Sequence, residues 1–217
     1  MKTLLHVGCA RLTIRHLPYF RDGGWEEIRY DIDPGVEPDI VGESQDMSLI
    51  DDGAVDALWS SHNIEHVSSF EVQPVLREFR RVLRPAGFLV VLCPDALQLA
   101  QAIVEGKLEK TLYDSPAGPI RTLDILYGHQ PSIQGGNHFM AHKMAFTSDT
   151  LATHLQDAGF ASIVVLRDRA CGLHAVATAE PAPLASVQEM ASRTCQQPEI
   201  VFEGLYYGSF DEAAQSL

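Results

Sequence analysis

The amino-acid sequence predicts an α/β fold in which a mostly parallel sheet carries helices on both faces. Short apolar runs alternate with helical patterns along much of the chain, which is typical of a parallel sheet. Most of these runs contain few charges, as expected for strands that are buried on both faces. The chain has 217 residues and a hydrophobic content of 46%, enough for one well-buried core and short for two.

Seven segments have the length and composition of β-strands. The first five are expected to be parallel, and the last two, joined through RACG, to form an antiparallel hairpin that closes the sheet. The segments are TLLHVG (3–8), EIRYD (27–31), DIV (39–41), VDALWS (55–60), FLVVLC (88–93), ASIVVLRD (161–168) and LHAVATA (173–179). We therefore predict one doubly wound, seven-stranded sheet within a single domain, residues 1–179.

Two helices, an insertion and a tail complete the predicted organisation. An amphipathic helix is expected at 74–83, before Pro85, and a second helix is expected to begin at Thr147 or Ser148 as its cap. Residues 97–146 contain scattered glycine and proline without periodicity, which predicts a functional insertion or lid. Residues 180–217 form a polar C-terminal tail, and the sequence leaves open whether it docks on the domain.

Composition and charge argue against several classes of protein. The 16 basic and 29 acidic residues give a net charge of −13, which repels nucleic acid. No apolar run is long enough to cross a bilayer, and the opening MKTLLHVGCA is interrupted at His6, which disfavours an export signal. The four cysteines are far apart, so we expect reduced thiols in a cytoplasmic protein with no nucleic-acid or membrane partner. A homodimer is compatible with the sequence, which does not determine the oligomeric state.

The first two predicted strands end in residues that suit a nucleoside ligand. Gly8 allows a sharp turn that brings the backbone close to a ligand. Asp31 ends the second strand roughly 20 residues later, where a carboxylate accepts hydrogen bonds from both ribose hydroxyls. A dinucleotide would require G-x-G-x-x-G, but Ala10 and Thr13 replace the second and third glycines. The pattern thus favours a nucleoside without pyrophosphate, with a simple strand-ending role for Asp31 as the alternative.

An ordered set of motifs over about residues 3–95 resembles the class I S-adenosylmethionine-dependent methyltransferases of the "type 11" domain family. The motifs are LHVGCA, RYDIDP, ESQDMSLIDDGAVDALWSSHNIEHV and VLREFRRVLRPAGFLVVLCPD. Weaker similarity in LYGHQ, AHKMAFT and LQDAGF points to a bacterial subgroup of largely unassigned substrate. The resemblance implies a Rossmann-like fold with a substrate-side insertion. It also implies S-adenosylmethionine as cofactor and methylation of a small-molecule or sugar-containing acceptor at oxygen or nitrogen.

The resemblance further implies which residues contact the cofactor. They are Gly8, Cys9 and Ala10 at the methionine part, Asp31 at the ribose, Ile32, Asp46 and Met47 at the adenine, and Ser60 and Ser61 near the transferred methyl group. Asp46 also has an alternative as an ordinary turn residue. The family usually has glycine where Ala10 and Ala86 stand. A degenerate, non-catalytic binding protein is therefore an alternative hypothesis, and a nicotinamide oxidoreductase is a weaker one.

Methyl transfer depends mainly on alignment and exclusion of water, and it needs a general base only for a hydroxyl or a protonated amine. Candidate bases on predicted loops or in the insertion are His62, His138, His142, Asp95 and Tyr127. We predict His62, which follows the fourth strand, with His142 as a second catalytic candidate. His138 and His142 could share a helix face, but they lack a third ligand at a helpful spacing and the H-E-x-x-H pattern. We therefore predict no metal site.

Overall fold

An eight-stranded sheet forms the centre of the protein. The structure, a computed structural model, describes residues 1–115, 117–168, 170–194 and 203–207, the last segment as backbone only. The strands are β1 (Lys2–Val7), β2 (Trp25–Asp31), β3 (Ile40–Val41), β4 (Val55–Ser61), β5 (Leu83–Pro94), β6 (Thr111–Ser115), β7 (Gly118–Arg121), β8 (Ser162–Arg167), β9 (Gly172–Thr178) and β10 (Glu203–Tyr207). All except β6 and β7, which pair as a separate hairpin, belong to the large sheet.

The strand order of the sheet is β10-β8-β9-β5-β4-β1-β2-β3. The five neighbouring strands β5, β4, β1, β2 and β3 are parallel to one another. Strand β9 is antiparallel to both β5 and β8. The predicted α/β fold class, a mostly parallel sheet closed by a C-terminal hairpin, is therefore confirmed. The addition is β10, an antiparallel edge strand within the predicted tail. Because the chain order reverses between β1 and β4, a ligand is expected at the carboxyl ends of these strands.

Strand β1 shows how a polar residue is accommodated in a buried strand. Leu4, Leu5 and Val7 are buried, and so is His6. The His6 ring nitrogen Nδ1 lies 2.8 Å from Oε1 of Glu27 on the neighbouring strand. The second carboxylate oxygen of Glu27 accepts a hydrogen bond from the backbone N–H of Ile14. The interruption of the apolar run at His6 is thus satisfied by a polar pair between β1 and β2.

Helices cover both faces of the sheet. They are α1 (Val72–Val82), α2 (Ala96–Val104), α3 (Thr122–Tyr127), α4 (Gln130–Gln134), α5 (Ser148–Asp157) and α6 (Leu184–Thr194). Buried side chains of α1 and α5 belong to one core cluster, and those of α6 belong to a second cluster on the other face. The side chain of Thr147 caps α5 by accepting from the N–H of Thr150. No helix in the described parts of the chain is long and apolar enough to span a bilayer.

The connection between β1 and β2 contains no α-helix. Its only helical turn is the 3₁₀ segment Ile14–His16, and its apolar contribution is aromatic. Phe20 packs edge-on against Trp25 and Trp59, with ring centroids 4.9 and 5.9 Å away, and stacks on Phe88. A pyrophosphate is usually bound at the N-terminus of the helix that follows the first strand. The lack of an α-helix in residues 8–24, all of which the structure describes, therefore argues further against a dinucleotide.

The segment 97–146, predicted to be an aperiodic insertion, contains regular structure. Most of α2 falls in it, and the side chain of Asp95 caps this helix by accepting from the N–H of Leu97. The hairpin of β6 and β7, the helices α3 and α4 and the 3₁₀ turn His138–Met140 follow. In the predicted tail, α6 buries Val187 and Ala191 against the sheet, while 195–202 and 208–217 lie outside the described residues. The helices α3 and α4 have only 6 and 5 residues, too few for a periodicity to show in the sequence.

Candidate functional site

A cavity of about 460 Å³ lies at the carboxyl ends of β1, β2 and β4. Its lining comes from the turn after each of these strands, from residues 43–45 and from residues 137–140 of the insertion. Its size is within the range of small-molecule sites. Of the predicted site residues, those that line it are Gly8, Ala10, Asp31, Ile32 and His62.

Asp31 directs its carboxylate at the turn that follows β1. Its Oδ2 accepts a hydrogen bond of 2.8 Å from the backbone N–H of Ala10, and its Oδ1 accepts one of 3.0 Å from the N–H of Asp33. The residue is 8% exposed. An ionised carboxylate has about four acceptor positions, so two remain for a ligand. The acid at the end of β2 and the turn after β1 thus form one wall of the cavity.

Ala10 adopts the left-handed conformation that usually favours glycine. Its φ is 46°, which costs a residue with a Cβ about 1–2 kcal/mol. The backbone is held on both sides, because Asp31 accepts from its N–H and Nη2 of Arg29 donates to its carbonyl at 2.6 Å. Arg29 also donates to the carbonyls of Leu12, Val36 and Glu37. One guanidinium therefore joins the turn after β1 to the turn after β2.

Gly8 is required by a close neighbour as well as by its backbone conformation. Its φ is 65°, and a Cβ placed there would lie 2.8 Å from the side chain of Asn63. Asn63 lines the cavity and donates from Nδ2 to Oγ of Ser60 at 3.2 Å. The sequence analysis missed Asn63, because the contact joins loops that follow two different strands.

His62 follows β4 and is also left-handed, with φ of 49°. Its backbone N–H donates to the carbonyl of Leu92, and its side chain is 64% exposed. The ring Nδ1 lies 3.3 Å from Oε1 of the fully buried Glu65. Desolvation alone would lower the pKa of His62, but the hydrogen bond to Glu65 and the charges of Glu65 and Asp168 raise it. Glu65 thus orients the ring at the wall of the cavity.

His142, the second predicted catalytic residue, lies behind the cavity rather than on its wall. Its Nδ1 is 2.7 Å from the carbonyl oxygen of Ile125, and its Nε2 is 4.0 Å from Oε1 of Glu65. Its ring packs edge-on against that of His66. Burial lowers the pKa of His142. Direct contact with a ligand in the cavity is therefore not expected for His142 in this conformation.

Five other predicted cofactor residues do not line the cavity. Cys9, Met47 and Ser60 are fully buried beneath it, and burial raises the pKa of the Cys9 thiol to about 11. Asp46 instead stabilises its own turn, since its Oδ1 accepts from the N–H of Ser48 and its carbonyl accepts from the hydroxyl of Tyr30. Ser61 is partly buried and is not a lining residue. These positions support the site from below or beside it.

Two groups of lining residues were, apart from His138, not predicted from the sequence. The segment 43–45 forms the wall next to the end of β2, and residues 137–140 together with Lys143 close the opposite side. The first group directly precedes Asp46, so the motif lies next to the lining residues, and the cofactor contact of Asp46 stays a prediction. In the second group the sequence indicated only His138, as a candidate base, because the position of the group depends on how the insertion folds back.

Comparisons with known proteins agree with this geometry. Residues 5–91 match the family model described as a methyltransferase domain. A search of curated protein sequences found no match.

Several solved structures share the fold. An S-adenosylmethionine-dependent methyltransferase from Methanosarcina mazei is 14% identical, with 83% of this chain and 93% of that chain covered and a TM-score of 0.54. A possible histamine N-methyltransferase from Thermotoga maritima is 12% identical, with 83% of each chain covered and a TM-score of 0.53. The 1,6-didemethyltoxoflavin-N1-methyltransferase of Burkholderia thailandensis, solved with 1,6-didemethyltoxoflavin and S-adenosylhomocysteine bound, is 17% identical, with 83% of this chain and 72% of that chain covered and a TM-score of 0.53.

The family match lies on β1 to β5, the half of the sheet whose strand ends form the cavity. The fold neighbours cover 83% of this chain, a larger share than the family match. Residues 5–91 of this chain therefore resemble a methyltransferase domain in sequence, and the chain shares its fold with S-adenosylmethionine-dependent methyltransferases.

Proposed function

We propose that the protein transfers a methyl group from S-adenosylmethionine to a small-molecule or sugar-containing acceptor, at an oxygen or a nitrogen atom. The observation that carries the proposal is the carboxylate of Asp31, which faces the turn Gly8–Ala10 across the wall of the cavity. It keeps acceptor positions for the two hydroxyls of a ribose. The described connection after β1 has no α-helix whose N-terminus could bind a pyrophosphate. It therefore suits a cofactor that has a sulfonium in place of a pyrophosphate.

In this proposal the adenosine lies between the ends of β2 and β4. Ile32 is 43% exposed at the cavity and offers an apolar surface for the adenine ring. The polar contact predicted for Asp46 passes to its neighbours Ser44 and Gln45, which line the cavity. The methionine part lies along Gly8 and Ala10, where Gly8 leaves the backbone accessible.

The acceptor is placed against the wall formed by the insertion. Residues 137–140 and Lys143 face the turns after β1 and β4 across the cavity, and Phe139 is an exposed aromatic residue there. A bound sulfonium supplies an activated methyl group, so the protein must align the acceptor and exclude water. His62 is the proposed residue for accepting a proton from a hydroxyl or an ammonium acceptor, with Glu65 holding its ring.

The first test is isothermal titration calorimetry of the full chain with S-adenosylhomocysteine and, separately, with NADH. We expect saturable heat with S-adenosylhomocysteine and none with NADH. Release of S-adenosylhomocysteine from S-adenosylmethionine in the presence of a mixture of phenols, amines and sugar nucleotides then tests transfer. A folded protein that gives no heat with S-adenosylhomocysteine or with S-adenosylmethionine would rule the proposal out.

A degenerate, non-catalytic binding protein is the second candidate, and the observation that favours it is the methyl group of Ala10 at φ of 46°. The side chain is exposed at the place where the cofactor would approach the backbone. If Ala10→Gly gains cofactor affinity that the natural chain lacks, the second candidate is supported. Equal affinity in both proteins supports the enzyme.

The described cysteines, Cys9, Cys93 and Cys171, are free thiols, which supports a reducing, cytoplasmic environment for the protein. Cys195 lies outside the described residues.

A further inference from the structure

We propose that Glu65, His66 and His142 bind a divalent transition-metal cation beside the cavity. The inference goes beyond the proposed methyl transfer and does not depend on it. One potential ligand atom from each residue lies within 4.8 Å of the other two. Zinc bonds of about 2.0–2.1 Å to nitrogen in a tetrahedral site place ligand atoms about 3.3 Å apart. A closure of about 1–1.5 Å therefore completes the site, which is within the reach of side-chain adjustment.

Hydrogen bonds of His66 and His142 leave Nε2 of each ring available to coordinate a metal ion. Nδ1 of His66 lies 3.1 Å from the carbonyl oxygen of Ala141, and Nδ1 of His142 lies 2.7 Å from that of Ile125. A carbonyl oxygen only accepts, so Nδ1 of each ring carries the proton and Nε2 keeps its lone pair in the neutral ring. A backbone carbonyl that fixes the tautomer in this way is the usual outer partner of a metal-binding histidine.

Glu65 provides the second and independent observation. Its side chain is fully buried, and its Oε2 has no hydrogen-bond partner among the described residues. Its Oε1 has only the 3.3 Å contact with His62 and the 4.0 Å approach of His142. A buried carboxylate oxygen without a donor is costly unless a cation or a hydrogen bond satisfies it. A cation bound by the Glu65 carboxylate and the two imidazoles would supply the positive partner that this buried carboxylate lacks.

The two segments that carry the ligands are joined by their backbones. The carbonyl of Glu65 accepts hydrogen bonds from the N–H groups of Lys143 and Met144, at 2.8 and 3.1 Å. This clamp fixes Glu65 and His66 in the turn after β4 against His142 in the insertion. A set of two imidazoles and one carboxylate suits zinc and the neighbouring first-row cations better than magnesium or calcium. Because His66 lines the cavity, the remaining coordination positions are expected on that side.

The test is the uptake of zinc by the full chain after removal of metal with a chelator. We expect about one Zn²⁺ per chain by elemental analysis after dialysis. Cobalt(II) bound to the wild-type chain should show the intense visible absorption of a site with four or five ligands, and competing zinc should remove it. Glu65→Gln and His142→Ala should each weaken zinc binding at least about 10-fold.

The control variant is His138→Ala, which removes a histidine from the cavity wall but not from the cluster, and zinc binding should be unchanged. The proposal fails if the wild type retains less than about a tenth of an equivalent, or if Glu65→Gln and His142→Ala bind zinc as the wild type does. If a variant does not fold, the cobalt spectrum of the wild type decides, and a weak octahedral spectrum rejects the site. Titration of the metal-free chain with S-adenosylhomocysteine reports separately on the proposed function.

Discussion

The turns after β1 and β4 make an instructive pair, because each contains a residue other than glycine in the left-handed conformation. Ala10 has φ of 46° and His62 has φ of 49°. The two strands are neighbours in the sheet, and both residues line the cavity. Similar backbone strain therefore occurs twice at the edge where the ligand is proposed to bind.

The two turns differ in what holds the strained residue. At Ala10 the backbone is fixed by Asp31 on the N–H and by Arg29 on the carbonyl, and the side chain is exposed. At His62 the side chain contributes, because its ring contacts Glu65. Strain at Ala10 is thus imposed by the surrounding turns, whereas strain at His62 places an imidazole at the cavity.

The largest effect is expected from Asp31→Asn. The amide still accepts from the N–H of Ala10, but it removes the charge that would bind the ribose hydroxyls. Hydrogen bonds to a charged group contribute about 1.5–3 kcal/mol each, so affinity for S-adenosylhomocysteine should fall about 100-fold in calorimetry. Asp157→Asn is the matched control, since Asp157 is exposed at the end of α5 and does not line the cavity. Equal losses in both variants would contradict the assignment of the ribose to Asp31.

Arg29→Lys should have the next largest effect, on stability. A lysine cannot reach the carbonyls of Ala10, Leu12 and Glu37 together, because it lacks the planar fork of the guanidinium. We expect the free energy of unfolding in urea to fall by about 1–2 kcal/mol. Arg15→Lys, at an exposed position, should change it by less than about 0.5 kcal/mol. Similar values for both variants would show that the turns do not depend on Arg29.

Ala10→Gly should stabilise the protein by about 0.5–1 kcal/mol. Glycine removes the cost of the left-handed conformation, which exceeds the entropy that a glycine adds to the unfolded chain. The measurement is the midpoint of urea unfolding with an unchanged slope. A loss of stability would mean that the methyl group makes a favourable contact after all.

The smallest effect is expected from His62→Gly, even though the backbone strain is the same. The relief of strain is offset by the loss of the ring and its contact with Glu65, so the free energy of unfolding should change by no more than about 0.5 kcal/mol. If both glycine variants stabilise the protein equally, the side chain of His62 contributes nothing and the distinction between the two turns disappears.

How far the sequence predicts the site is clearest at Asp31 and Asp46. Asp31 ends a strand, and because parallel strands end at a common edge, its position follows from local periodicity. Asp46 lies in a loop, where the backbone angles decide which of several neighbouring residues faces the ligand. The motif therefore located the loop, while the lining residues turned out to be those at 43–45.

His142 shows a second limit of sequence reasoning. The spacing suggested a pairing with His138 on one helix face, yet His138 lies in a 3₁₀ turn that ends before His142. The partners of His142 are Glu65 and His66, which lie far away in the sequence. No periodicity links residues that meet only when the insertion folds back onto the sheet.

The sequence by itself determined the alternation of strands and helices, the parallel arrangement of β1 to β5, the turn at Gly8 and the acid at Asp31. These features depend on hydrophobic periodicity and on residue types at strand ends, which act over a few residues. Only the tertiary structure decided which loop residues line the cavity, how Arg29 joins two turns, and that Glu65, His66 and His142 come together. Such contacts are set by the packing of distant segments, and the free energy that selects them is spread over many residues.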